Sequence, residues 1–134
     1  MTTSHSFLLG VGVALGLAAA AASAAPTPAP VRAEVDALLG RLQASGCEFS
    51  RNGSWHGAAE ARTHLLRKLD HLEGRTTLQS AEQFIAQAAT ASSTTGLAYQ
   101  VRCGATPAVP SAQWLIRELA AVRAAMRAAP AASH

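Results

Sequence analysis

Apolar positions fall into three patterns along this chain, and each predicts a different kind of segment. Phe7 to Ala22 is an unbroken run of apolar and glycine residues, FLLGVGVALGLAAAAA. From Val31 onward the apolar residues recur at helical spacing. Val31, Val35, Leu38, Leu39 and Leu42 mark one face of a first helix, which Ser45-Gly46 stops. Ala61, Leu65, Leu69 and Leu72 mark a second helix over Ala58 to Leu72, closed by Gly74. Ser80-Ala81-Glu82-Gln83 has the form of a capping box, with Ser80 as N-cap, and opens a third helix that turns Phe84, Ile85 and Ala88 inward. Ser111 is expected to cap a last helix carrying Trp114, Leu115, Leu119, Val122 and Met126. Two stretches alternate instead, Cys47 to Arg51 and Leu97 to Cys103, and read as strands. Asn52-Gly53 turns the chain after the first, the hydroxyl-rich loop Thr90 to Thr95 ends at Gly96, and Pro107 and Pro110 mark another loop.

The apolar run ends at Ala22-Ser23-Ala24, a small-residue site of the kind signal peptidase cuts, so residues 1–24 read as a secretory signal cleaved before Ala25. A spanning helix needs about 20 strongly apolar residues, and this run is shorter and diluted by Ala and Gly. Its leading segment MTTSH lacks the Lys or Arg usual there, and no Cys at the cleavage site indicates a lipid anchor. The expectation is an exported protein, periplasmic or secreted, with no stable membrane insertion after cleavage. The mature chain divides into a Pro/Ala-rich tether over residues 25–30, one small α+β domain over 31–128, and a flexible tail over 129–134.

Export changes the meaning of the two cysteines, Cys47 and Cys103. In an oxidising compartment an even count in a small domain favours a disulfide, and two sulfurs without a CxxC spacing make a poor metal site. The strands test this pairing. A Cys47–Cys103 bond requires them to run antiparallel with Phe49 opposite Val101 and Arg51 opposite Tyr99. Glu48 then meets Arg102 and Ser50 meets Gln100 on the other face, an opposite-charge pair where like signs would have spoken against the register. The fold class expected is α+β, about four helices around a two-stranded antiparallel ribbon stapled by one disulfide.

Charge adds little. Lys and Arg number 11 against 8 Asp and Glu, a net +3, and the basic residues are interspersed with acids, so the chain lacks the basic run of a nucleic-acid footprint.

The stretches FSRNG (49–53), EARTHLLRKL (60–69), SAEQFI (80–85) and SSTTGLAYQV (92–101), in this order and spacing, resemble the YfeK-like family of small exported bacterial proteins, a domain of unknown function. The resemblance covers about Val31 to Arg123. It implies a single exported domain and carries no activity, ligand or catalytic assignment.

Candidate chemistry gathers around the first strand's end. Arg51 and Asn52 lie where a strand turns toward a helix, and could receive an anion or a peptide carboxylate; the alternative is a tight turn in which Arg51 stacks on Tyr99. His64, Lys68 and His71 share a flank of the second helix, and Glu82 could approach from the third, giving an ion pair with Lys68 or His64. Two histidines seven residues apart with a carboxylate lack the strong helical metal spacing, so no metal and no cofactor is expected. Ser92 and Ser93 sit in a hydroxyl-rich loop without a nucleophile elbow, better suited to satisfying a helix end. Of six aromatics in the chain, Trp114 is expected in the core, and Trp55 is left as a partly exposed contact. The leading functional reading is a noncatalytic binding or structural domain of the cell envelope, its partner an envelope protein, a peptide or a small ligand, with Arg51, Asn52, His64, Lys68, Glu82, Ser92, Ser93 and Tyr99 as candidate binding residues. The alternative is a small hydrolase or lyase using His64, Glu82 and a Ser92 or Ser93 hydroxyl.

Overall fold

The computed structural model describes residues 2, 10–16 and 24–129. Most of the apolar leader and nearly all of the proposed tail lie outside the described residues, and Gly10–Gly16 belongs to no helix or strand. In chain order the elements are α1 (Ala29–Ala44), β1 (Glu48–Arg51), β2 (Ser54–His56), α2 (Ala58–Glu73), α3 (Ala81–Ala88), β3 (Gln100–Arg102), β4 (Val109–Pro110) and α4 (Ser111–Ala128). The four helices and the α+β class agree with the sequence reading. The ribbon does not: the sheet has four strands, in the order β2-β1-β3-β4, all antiparallel.

The two added strands have local causes. Asn52 (φ 51°) and Gly53 (φ 81°) both take the left-handed conformation that a two-residue hairpin of type I′ needs, so Arg51 folds back onto Ser54 and the chain makes β2 before entering α2. β4 is only Val109 and Pro110, and the proline sits on a sheet edge, where its missing N–H costs no ladder bond. The central pair keeps the expected register, Glu48 opposite Arg102, Phe49 opposite Val101 and Ser50 opposite Gln100. Arg102 forks onto Glu48 at 3.2 and 3.3 Å, and Cys47 is bonded to Cys103. Pairing stops short of Arg51 and Tyr99. Leu97 and Ala98 are exposed outside any strand, and Tyr99 donates its N–H to Thr90 O while its carbonyl accepts from Ser111 N.

One hydrophobic core joins helices and sheet. Val35, Leu38, Leu39 and Leu42 of α1 are fully buried and meet Phe84 and Ile85 of α3, Leu65 and Leu69 of α2, and Leu115, Leu119 and Val122 of α4. Phe49 projects from β1 onto Trp114 with ring centroids 5.6 Å apart and planes at 82°, an edge-to-face contact that fastens the sheet to α4. Met126, expected inward, is exposed near the end of α4. Leu78, between α2 and α3, is fully buried although no periodicity marks it. On the sheet's outer face Arg102 covers the half-buried Trp55 ring at 3.9 Å.

Helix ends refine the reading. Ser80 Oγ accepts from Gln83 N (3.1 Å), and Gln83 Oε1 reaches back to Gln79 N (2.7 Å), one residue before the usual partner in a capping box. Ser111 is the first residue of α4, not its cap; Pro110 takes that position and no side chain bonds the free amides. The proposed tether also changes. Ala29 and Pro30 belong to α1, Thr27 Oγ1 donates to Glu73 (2.6 Å), and Thr77 Oγ1 donates to Ala25 O (3.1 Å), so this segment is laid against the α2–α3 end.

Candidate functional site

The β1–β2 hairpin leaves Arg51 at the end of a strand whose inner face looks toward α2. His64 and Lys68, four residues apart, rise from one flank of that helix. Tyr99 comes between α3 and β3, held by its two backbone bonds, and is buried apart from a small part of its ring. The four side chains meet. Arg51 Nη1 lies 2.6 Å from His64 Nδ1, His64 Nε2 lies 3.2 Å from Tyr99 Oη, and Lys68 Nζ donates to Tyr99 Oη at 2.9 Å and to Ala91 O at 3.2 Å.

Donor and acceptor roles follow from the chemistry. Guanidinium offers only donors, so His64 Nδ1 must accept, and the neutral ring carries its proton on Nε2, from which it donates to Tyr99. Burial opposes a charge on His64, and the nearby Arg51, Lys68, Arg67 and His56 oppose it further, pushing the imidazole down to about 4. The tautomer and the shift therefore agree: this is a neutral histidine. Tyr99 Oη accepts two N–H groups, and among the described residues none takes its own proton.

Arg51, His64 and Tyr99 line a cavity of about 40 Å³. Phe49, Ala61 and Leu65 form its apolar walls, Ser50, His56 and Ser111 also line it, and so does the exposed Glu60, which is bonded to His56 Nδ1 at 3.0 Å. Among the described residues no carboxylate lies within 4.0 Å of Arg51 or Lys68. Among the described residues Arg51 directs its side-chain bonding to His64 alone, which leaves most of its five N–H groups without a partner there.

Other candidates lie elsewhere. Glu82 does not approach Lys68 or His64; its carboxylate, on the first turn of α3, is bound by Arg123, which also grips Glu34 at 2.8 and 3.0 Å. The shared guanidinium holds both carboxylates below their usual range and clamps α1, α3 and α4 together. Nor does Arg51 stack on Tyr99: the cation over that ring's edge is Lys68, 4.9 Å from its centroid, and Arg51 connects to it through His64. Ser92 is buried with Oγ accepting from Thr94 N and Thr95 N, which closes the turn, while Ser93 is exposed. Asn52 Oδ1 accepts from Thr95 Oγ1 at 2.6 Å and ties the hairpin to that loop. His71 is exposed in the last turn of α2 and accepts from Arg75. His56 and Glu60 were missed from sequence, and no helical spacing marked them, since His56 ends β2 while Glu60 is in the first turn of α2.

No solved structure matches this chain. The curated protein "Uncharacterized protein YfeK" of Salmonella typhimurium is 41% identical over 68 residues, half of this chain and 55% of that protein, so the chain spans about half the length of the relative it matches. A sequence model described as "Family of unknown function (DUF5329)" matches residues 29–123, a span that takes in every element from α1 to β4, most of α4 and the whole Arg51–His64–Lys68–Tyr99 cluster, and the chain belongs to this YfeK-like family.

Proposed function

We propose that this protein is an exported, noncatalytic binding domain of the bacterial envelope that holds an anionic group of its ligand at Arg51. One observation carries the reading: a guanidinium that lines a cavity and is fixed by a neutral imidazole, with no carboxylate among the described residues within 4.0 Å of it. Arg32, Arg41, Arg102 and Arg123 are neutralised by Glu73, Glu118, Glu48 and Glu34, whereas Arg51 is held by an imidazole at a cavity. Guanidinium donors oriented in a partly apolar cavity favour oxyanions by charge-assisted hydrogen bonds. The Tyr99 hydroxyl proton, left without an acceptor by its two N–H partners, adds a donor beside it. Export is supported by the apolar run, the small-residue site at Ala22-Ser23-Ala24, and a disulfide of the kind that persists in oxidising compartments. Among the described residues no helix is long and apolar enough to cross a membrane.

The hydrolase or lyase alternative gains no such support, since Glu82 is committed to Arg123 and Ser92 to its own turn. The test is a panel of simple anions, acetate, phosphate and sulfate, added at constant ionic strength to the ¹⁵N-labelled, disulfide-bonded protein. At least one should shift amides around Arg51, His64 and Tyr99, and Arg51→Gln should abolish the response while Arg127→Gln leaves it intact. Shifts spread evenly over the arginines of the surface, or none at all, would overturn the reading.

A further inference from the structure

Resting on that reading, we infer that the group bound at Arg51 is a single carboxylate carried on a compact apolar body, and that a phosphate or another dianion is excluded. Three features of the cavity lead there. The first is its charge count. Among the described residues Arg51 is the one arginine or lysine lining it, beside His56, which is bonded to Glu60; Lys68 is not part of the lining, and its ammonium is spent on Tyr99 Oη and Ala91 O. Glu60, at the edge, opposes any charge beyond the one that Arg51 compensates. The cost of taking an anion out of water grows with the square of its charge while its attraction to a single guanidinium grows only in proportion, so a dianion gives up more on entering than Arg51 returns.

The second feature is donor geometry. With Nη1 directed to His64, Nε and Nη2 of Arg51 have no hydrogen-bond partner among the described residues, and neither has the Tyr99 hydroxyl proton. Two parallel N–H groups and a hydroxyl match the two oxygens of a planar carboxylate. A tetrahedral phosphate has more acceptor oxygens than this donor set reaches. The third feature is shape. Phe49, Ala61 and Leu65 make apolar walls, with Ser50, His56 and Ser111 beside them, and about 40 Å³ admits a carboxylate with a few carbons but no sugar or nucleotide. A short free acid and the C-terminal carboxylate of a small-residue peptide share this chemistry.

The experiment titrates the purified, disulfide-bonded protein with propionate, N-acetyl-dialanine, N-acetyl-dialanine amide and inorganic phosphate, following amide shifts at pH 7. Saturable shifts centred on Arg51 should appear with propionate, N-acetyl-dialanine or both, in the millimolar range suited to so few atoms, and none with the amide or phosphate. Propionate binding alone would assign a free acid, and peptide binding alone a C-terminus. Arg51→Gln should weaken the carboxylate roughly tenfold or more, and Glu60→Gln should let phosphate bind. Binding of phosphate to the unaltered protein with no carboxylate binding would overturn this inference while leaving the anion site standing. No response to any probe would overturn both.

Discussion

Acid should destabilise this protein through His64 before its carboxylates titrate. In the folded chain the imidazole is pushed down to about 4, from an ordinary value of 6.5, by burial and by Arg51, Lys68, Arg67 and His56. Above pH 6.5 the ring is neutral both folded and unfolded, and the group has no effect on the balance. Between 6.5 and 4 the unfolded chain binds a proton that the folded chain refuses, so stability falls as pH falls. Below 4 both states are protonated and this group takes nothing further. The full difference would correspond to about 3.4 kcal/mol. His64 is only half-buried, and solvent screening cuts this to about 1–2 kcal/mol.

Glutamine is the right comparison, because its carbonyl can accept from Arg51 and its amide can donate to Tyr99 without ever titrating. Urea unfolding of the protein and of His64→Gln, at steps from pH 7.5 to pH 4, should show the two converging or crossing, with the unaltered protein losing about 1–2 kcal/mol more than the variant. Glu34 and Glu82 are held below their usual range, so their stabilising effect is lost only as pH falls below about 4.5, and it cancels in the comparison. NMR titration of the His64 ring should give a midpoint well below the ordinary 6.5. Parallel loss of stability in both proteins, or a ring titrating near 6.5, would refute the reasoning.

Replacing both Cys47 and Cys103 with Ala opens a loop closed across 56 residues, and urea unfolding should show a loss of about 2–5 kcal/mol with helical circular dichroism retained at low denaturant. Tyr99→Phe leaves Lys68 and His64 without their shared acceptor, and should lower stability by about 1–3 kcal/mol and shift the His64 ring resonances. Gly53→Ala puts a side chain at φ 81°, and should cost about 1–2 kcal/mol and speed amide exchange in β2, where Gly57→Ala, at an ordinary φ with open space around it, should not.

How far the sequence disclosed this fold depended on segment length. Helical periodicity over α1, α2 and α4 marked Leu38, Leu65 and Leu115 as interior, and each is buried. The strand register was readable because two alternating segments and a cysteine pair constrained one another, and the Glu48–Arg102 bridge follows from it. β2 and β4 have three and two residues, too few for an alternation to show. Asn52-Gly53 did signal a hairpin, and a strand should have been sought directly after it. In the site, the four-residue spacing of His64 and Lys68 was legible, as was the nearness of Arg51 to Tyr99. Glu82 was misplaced because the first turn of α3 can face either α2 or α4, and Arg123, 41 residues further on, gives no local sign that it will take the carboxylate. The tautomer of His64 is a matter of distances between three elements, and no spacing encodes it.

Why α2 carries a histidine opposite Arg51 is itself open to test. A carboxylate at position 64 would hold the guanidinium just as firmly, but would neutralise it and close the site from within. An apolar residue would leave the charge but not its orientation. The neutral imidazole fixes Arg51 through Nδ1, donates its one N–H to Tyr99 Oη, and brings no negative charge against the guanidinium. His64→Glu should therefore keep the fold at pH 7, with stability equal to or up to about 1 kcal/mol above the unaltered protein, because it makes a half-buried ion pair where a neutral bond stood. The same change should abolish carboxylate binding, whereas His64→Gln should retain it within a few-fold. Titration of both variants with propionate and N-acetyl-dialanine separates the roles: if His64→Glu binds as well as His64→Gln, the uncompensated charge on Arg51 is not what the site uses, and the imidazole is only a packing residue.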